Sequence, residues 1–356
     1  MNTRPAINAS VRRCRAHTRA RSTGFNLIEL MIAMVLGLLV VGGAVSIFVT
    51  NQQTYRATES LGRIQENTRT AFEIMARELR EAGGNPCGKN LPAPANVLNN
   101  ATANWWSNFT GGLTGYDAGT ALPTPLLPAA GVGSQIPGTD AFDIQSAAGT
   151  GISVVAHNPV AATFQVSDPN RPFRQGDILM VCDFRQAAIF QMSGPVGVNA
   201  QVNHNQGGAV APGNCTQRLG LPVNCGPLGA THQFGANSTV ARLAASRWYV
   251  GDTGRVNSSN GQQLSALFRS TPRAGVLAFE EIAEGVVNMQ VTYMLPGAAA
   301  YVPANLIAPN RWTEVIAVNV TLTLSGRAEG ETGVGSDGQA LQRQVNYVVN
   351  LRNRTI

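Results

Sequence analysis

Gly24-Phe25-Asn26-Leu27-Ile28-Glu29-Leu30 opens a run that stays apolar as far as Val49 and holds one carboxylate, Glu29. From Leu30 to Val49 almost every residue is Leu, Val, Ile, Met, Ala or Gly. About 20 such residues at ~1.5 Å each form a helix about 30 Å long, the thickness of a bilayer core. Upstream, residues 1–24 carry Arg4, Arg12, Arg13, Arg15, Arg19 and Arg21 and no acid. A secretory signal has its small-residue cleavage site after the apolar stretch, which is then discarded. Here the candidate scission point, Gly24, stands before it, so a cut would keep the helix as the new N-terminus.

A carboxylate inside a membrane-spanning stretch costs roughly 2.5–3.5 kcal/mol on insertion scales, and is rarely tolerated without a partner. Cutting after Gly24 creates one: the freed amine of Phe25 lies one helical turn from Glu29, and i, i+4 positions share a face. A neighbouring chain's amine is the alternative, and a plain signal anchor with Glu29 among the headgroups is the blander one. The pattern Gly24-Phe25-Asn26-Leu27-Ile28-Glu29-Leu30 resembles the class III leader junction of type IV prepilins and type II secretion pseudopilins. That resemblance implies that a membrane-bound prepilin peptidase cuts after Gly24 and methylates Phe25. It also implies that Glu29 sets the register of subunits entering a filament. Many major pilins have a helix-breaking proline in the membrane half, whereas no proline lies between Phe25 and Asn85.

Charge follows the same division. The chain has 26 basic and 20 acidic residues; removing the six arginines of residues 1–24 leaves 20 against 20. A basic pI would otherwise point to nucleic acid. Because the whole excess precedes the apolar helix, it reads as a cytoplasmic retention signal under the positive-inside rule, and no nucleic-acid partner is expected. Arg12-Arg13 is a weak twin-arginine match, with no signal-type cleavage site after the apolar run. Cys14 lacks the small apolar residues of a lipoprotein site.

Beyond the membrane half (25–50), residues 51–84 read as the amphipathic half of the same helix. Leu61, Ile64, Thr68, Ala71, Phe72, Met75 and Leu79 recur at spacings of three and four, one stripe on a 3.6-residue helix. Glu59 and Arg63, Arg69 and Glu73, Glu73 and Arg77, and Arg77 and Glu81 are opposite charges one turn apart on the other face. Gly83-Gly84-Asn85-Pro86 supplies a stop. The expected helix, Phe25 to Ala82, is about 85 Å long at ~1.5 Å per residue, and its second half should lie on a globular domain.

Residues 85–356 turn to Gly, Pro, Asn, Thr and Ala, with strand-like runs between turn signals. Expected strands are 142–146, 152–156, 178–182, 188–192, 242–250, 264–269, 286–294, 314–324 and 344–351. The segments 91–138 and 193–235 show little periodicity and read as long surface loops. About 270 residues can bury a large core, as one elaborated β domain or two small ones. Gly176-Asp177-Ile178-Leu179-Met180-Val181-Cys182-Asp183 with Gln186-Ala187-Ala188-Ile189-Phe190-Gln191 resembles the central strand pair of PilW-like minor pilins. Val286 to Tyr293 and Val348 to Arg354 have the same look, and the pseudopilin of similar size in type II secretion is the near relative.

Discounting Cys14 leaves Cys87, Cys182, Cys215 and Cys225, an even number suited to an oxidising compartment. Four cysteines allow three pairings. The short loop containing Gly220 and Pro222 favours Cys215 with Cys225, which leaves Cys87 with Cys182. Zinc is the competing idea, but there is no CxxC and the histidines are scattered, so no metal is expected. His17 precedes the helix, and His157, His204 and His232 sit in loop-like Asn- and Gly-rich surroundings without a nucleophile motif. Phosphate-loop and dinucleotide fingerprints are missing from the sequence, so no cofactor and no catalytic residue are assigned. Glu280, Glu281 and Glu284 form an acidic cluster, read as a solvated face before a cation or arginine site. Trp105, Trp106 and Phe109 form either an exposed contact patch or a local mini-core.

The combined expectation is an α+β, pilin-like chain: a long N-terminal helix packed on an antiparallel β domain, anchored once in the inner membrane with the domain in the periplasm. The resemblance implies a non-enzymatic minor pilin that primes type IV pilus assembly and reaches the pilus surface, with prepilin peptidase, other minor pilins and the major pilin as partners. A type II secretion pseudopilin and a tip adhesin or DNA-uptake subunit are the alternatives.

Overall fold

The computed structural model describes residues 24, 26–88, 91–109, 111–124, 127–147, 151–207, 211–226, 229–257, 261–273, 276–325 and 342–354, without the side chains of 57, 60, 61, 64 and 273. The expected leader, apart from Gly24, and Phe25 lie outside these residues. The chain divides into two compact units, Met1–Tyr55 and Arg56–Ile356. One helix, α1 (Leu27–Glu81), contributes to both.

In the first unit the Asn26 carbonyl accepts the Glu29 and Leu30 N–H groups at 2.9 and 3.2 Å, starting α1 at a residue type favoured there. The polar residues towards the end of the apolar run are satisfied within the helix: the Thr50 hydroxyl donates to the Ser46 carbonyl and the Thr54 hydroxyl to the Thr50 carbonyl. In the second unit α1 buries Thr68, Ala71, Met75, Ala76 and Leu79, while Arg69 and Glu73 pair at 2.9 Å on the exposed side. Of the expected stripe, the side chains of Leu61 and Ile64 lie outside the described residues. Gly83 ends the helix at φ +69°. A Cβ on Gly112 would come within 2.3 Å of Gly83 backbone atoms, so only two glycines allow the helix end and the backbone ahead of Leu113 to touch there.

Among the described residues fifteen strands follow in chain order: β1 (Ala95–Asn96), β2 (Leu113–Tyr116), β3 (Ala141–Ser146), β4 (Ile152–Asn158), β5 (Thr163–Val166), β6 (Ile178–Cys182), β7 (Ala187–Gln191), β8 (Gln201–Asn203), β9 (Thr239–Arg242), β10 (Ala244–Val256), β11 (Gln263–Arg273), β12 (Val276–Glu284), β13 (Val286–Met294), β14 (Ala317–Ser325) and β15 (Gln342–Asn350). They form a seven-stranded sheet in the order β1-β7-β6-β9-β4-β5-β8, a five-stranded sheet β12-β11-β10-β3-β2 and a three-stranded sheet β13-β14-β15. Only the β1–β7 pair among these is parallel. The fold class is α+β.

The five- and three-stranded sheets share one core with α1. Met75 and Leu79 of the helix meet Phe142, Trp248 and Leu267 of the first sheet and Val291, Val318 and Leu322 of the second. β3 and β10 pair from Ala141↔Tyr249 to Ser146↔Ala244, and β4–β9, the strands between them, all belong to the seven-stranded sheet. Six of that sheet's seven strands are thus inserted between two neighbouring strands, and β1 joins them from ahead of β3. It has its own apolar layers, Phe164, Phe190 and Phe234 on one face and Met180, Ile189 and Leu243 on the other.

Three sequence expectations change. The segments 91–138 and 193–235 are not surface loops throughout: they contain β1, β2 and β8 and bury Val97, Leu98, Leu113, Leu219 and Phe234. The expected strand 242–250 is two strands, because Arg242 pairs with Leu179 in the seven-stranded sheet and Ala244 with Ser146 in the five-stranded one. The start of the expected strand 314–324 is wound into a 3₁₀ turn, Pro309–Glu314.

Candidate functional site

Gly24 precedes α1 and is exposed, and Glu29 sits in the first turn. Free helix N–H groups make that turn favourable for a carboxylate. Leu27–Arg56 is long and apolar enough to cross a membrane, and its most apolar window is unburied. Ile28, Met31, Ile32, Val35 and Leu36 line one bare apolar groove on it.

The domain has three polar constellations that the sequence reading did not assemble. The first fixes α1 to the five-stranded sheet. Glu78 accepts hydrogen bonds from the Ser246 hydroxyl (2.6 Å), the Trp248 Nε1 (2.8 Å) and Arg269 (2.7 Å). Arg269 also reaches Glu280 at 2.6 Å, and burial notwithstanding, its two carboxylate partners raise its pKa. Arg255 takes Glu281 at 2.6 Å and Glu284 at 3.6 Å. The acidic cluster of β12 is therefore paired by arginines of its own sheet.

The second lies on the opposite face of that sheet. Arg247, wholly buried, grips Asp143 through two hydrogen bonds of 2.6 and 2.8 Å, and Tyr116 donates to the same carboxylate at 2.9 Å. The Trp105 ring packs on the Arg247 guanidinium at 4.6 Å. Trp105 and Trp106 are 5 % and 4 % exposed and Phe109 packs beside Met180 and Ile189, so the three do not form an exposed patch.

The third gathers the dispersed histidines. His157 on β4, His204 just after β8 and His232 lie around Phe164 and Phe234. His157 Nε2 and His204 Nε2 are 3.1 Å apart. The Phe234 N–H donates to His157 Nδ1, which places the His157 proton on Nε2, facing His204. His204 then carries its proton on Nδ1, near the carbonyls of Gln217 and of its own residue, with neither in hydrogen-bonding geometry. Burial, with the neighbouring imidazoles, depresses both pKa values, to about 4 for His157 and about 3 for His204. The interaction consumes the lone pairs a metal needs, and among the described residues no group of three or more His, Cys, Asp or Glu could hold one. His232 meets Asp183 at 2.7 Å; burial of Asp183 opposes its charge, but hydrogen bonds from His232, Arg185 and Gln186 outweigh it and lower its pKa.

Cys87 is bonded to Cys182 and Cys215 to Cys225, across 95 and 10 residues. The first bridge ties the segment after α1 to β6, and the second closes a turn beside β1 through the Cys215 N–H and Val97 carbonyl. Two disulfides belong to an oxidising, extracytoplasmic compartment.

No family model, curated protein or solved structure matches this chain. What sequence and coordinates define is an α+β chain with one N-terminal helix able to act as a membrane anchor or signal and a disulfide-closed, largely antiparallel β domain.

Proposed function

We propose that this chain is a minor pilin, a low-copy subunit that primes type IV pilus assembly after prepilin peptidase removes residues 1–24. The observation that carries the reading is Glu29, the acid in the first turn of an otherwise apolar, membrane-length helix directly after Gly24. The helix N-terminus returns only about 0.3–1 kcal/mol of the roughly 2.5–3.5 kcal/mol that a carboxylate costs within a membrane span, so Glu29 gains from the freed amine of Phe25 or that of a neighbouring subunit. Two further features support it. α1 supplies both the apolar stretch and, with Met75 and Leu79, the spine of a β-sheet core. The disulfides suit a periplasmic or surface location. A domain of this size would crowd a helical shaft, which favours a tip or initiating complex.

Expression of Glu29→Ala in a piliated host tests the reading. The variant should be shortened after Gly24 like the parent, by mass spectrometry of its N-terminus, and yet leave the cells without pili. Normal piliation removes the alignment role, and an uncut parent chain removes the leader assignment.

A further inference from the structure

The outermost strand of the five-stranded sheet, β2, borders a cleft of about 460 Å³. Its pairing with β3 dictates what it presents there. The Gln145 N–H donates to the Gly112 carbonyl directly opposite, at 2.8 Å, and the register continues as Leu113↔Ile144, Thr114↔Asp143 and Gly115↔Phe142. Hydrogen-bonded and non-hydrogen-bonded pairs alternate in an antiparallel ladder. Thr114 and Tyr116 therefore bond to β3, while Leu113 and Gly115 turn their N–H and C=O groups outward to the cleft. Both residues are buried, and among the described residues nothing else hydrogen-bonds their backbones. Buried backbone groups without partners are rare in native proteins.

The walls ask for the same kind of guest. Strand parity puts Trp105 on one side of the edge, with Tyr116 and Asp143, and Ile307 and Trp312 on the other, with Leu113. The Trp105 indole N–H is buried without an acceptor. Asp143 is neutralised by Arg247. Asp117 is held by the Ala304 and Asn305 N–H groups at 3.0 and 2.7 Å and pairs with no cation among the described residues, so the cleft keeps a negative charge.

We propose that this cleft receives an extended, neutral or basic peptide segment of another protein, added beside β2 as a sixth strand. Such a segment needs three or four residues, because the two outward-facing positions are ~6.8 Å apart at ~3.4 Å per residue. Its backbone would satisfy Leu113 and Gly115, and its alternating side chains would meet Trp105 on one side and Trp312 on the other. This inference does not rest on the pilus reading, since β2 lies in the Arg56–Ile356 unit whatever becomes of the N-terminus.

The test uses the full chain in detergent micelles, labelled with ¹⁵N at glycine and leucine, and follows amide exchange at Leu113 and Gly115. The probe is a pool of capped hexapeptides built from Ala, Val, Thr, Tyr and Lys. Exchange at both amides should slow by roughly tenfold or more. A pool N-methylated at alternate residues keeps one free edge and should act alike, whereas a fully N-methylated pool should do nothing. Asn305→Trp, at the exposed rim, should abolish the effect without altering exchange in α1. The proposal is overturned if no pool at ~1 mM slows exchange, if the fully methylated pool works as well, or if the rim variant responds normally. Equal slowing by maltose would make it a polyol site, and slowing with protein concentration alone would give the edge to a second copy; either outcome also overturns it.

Discussion

His157 and His204 place two imidazoles among Phe164, Phe190 and Phe234, where neither can accept a proton without losing its partner or gaining an unsolvated charge. In an unfolded chain both titrate near 6.5. Above that pH native and unfolded states are both neutral and the pair has no effect on pH dependence. Below it the unfolded chain takes up protons that the native pair refuses until about pH 4 and about pH 3. Stability is therefore fully present above pH 6.5 and is lost as pH falls, by up to ~1.4 kcal/mol per pH unit for each group. Urea midpoints between pH 7.5 and 5 should fall accordingly, and His204→Phe should flatten the slope by about half. An unchanged slope in that variant would mean the acid sensitivity lies elsewhere. The sequence concealed this pair for a physical reason. Alternation from Ile152 and Val154 points Ala156 inward, but β4 slips register between Val154 and Ala156, and His157 becomes the buried residue.

At the scale of elements, α1 is seated by charge as well as by its apolar stripe. Glu78 brings together three donors, two on β10 and one on β11, and its side chain is about one-fifth exposed. Glu78→Ala leaves Arg269 and the buried Trp248 N–H without that acceptor and should lower domain stability by about 3 kcal/mol. Glu78→Gln retains the shape and should cost about 1–2 kcal/mol. Chemical denaturation of the two variants checks the order, and equal losses would show that the charge contributes nothing. The stripe Thr68, Ala71, Met75 and Leu79 was legible because a helix repeats its face every 3.6 residues. Glu78 was not, since it falls beside the stripe and its partners are more than 160 residues away. Strands β6 and β13 matched their apolar runs to the residue. β1, β2, β5, β8 and β9 escaped notice because two to four residues are too few to display a period of two, and the nine-residue β12 because its burial does not alternate.

Across the whole molecule, composition foretold a disulfide-closed β domain but could not show that one sheet is inserted into another. Pairing β3 with β10 is a long-range fact, and local turn chemistry carries no record of it. The two bridges should differ in weight. On chain-entropy grounds closing 95 residues is worth about 5 kcal/mol and closing 10 about 3 kcal/mol. Replacing Cys87 and Cys182 by serine should therefore lower the urea midpoint more than replacing Cys215 and Cys225. The reverse order would show that native-state strain outweighs loop entropy.

The insertion also sets a timetable. A domain delivered to its compartment in sequence order presents β3 long before β10, its partner in the middle of the five-stranded sheet. At synthesis rates of ~5–20 residues per second, the roughly 100 intervening residues take about 5–20 s to arrive. For that interval the inner edge of β3, which ends buried at the centre of the sheet, is an open strand facing whatever else is nearby. The insertion thus makes the sheet's centre the place where a nascent chain is longest exposed to mispairing.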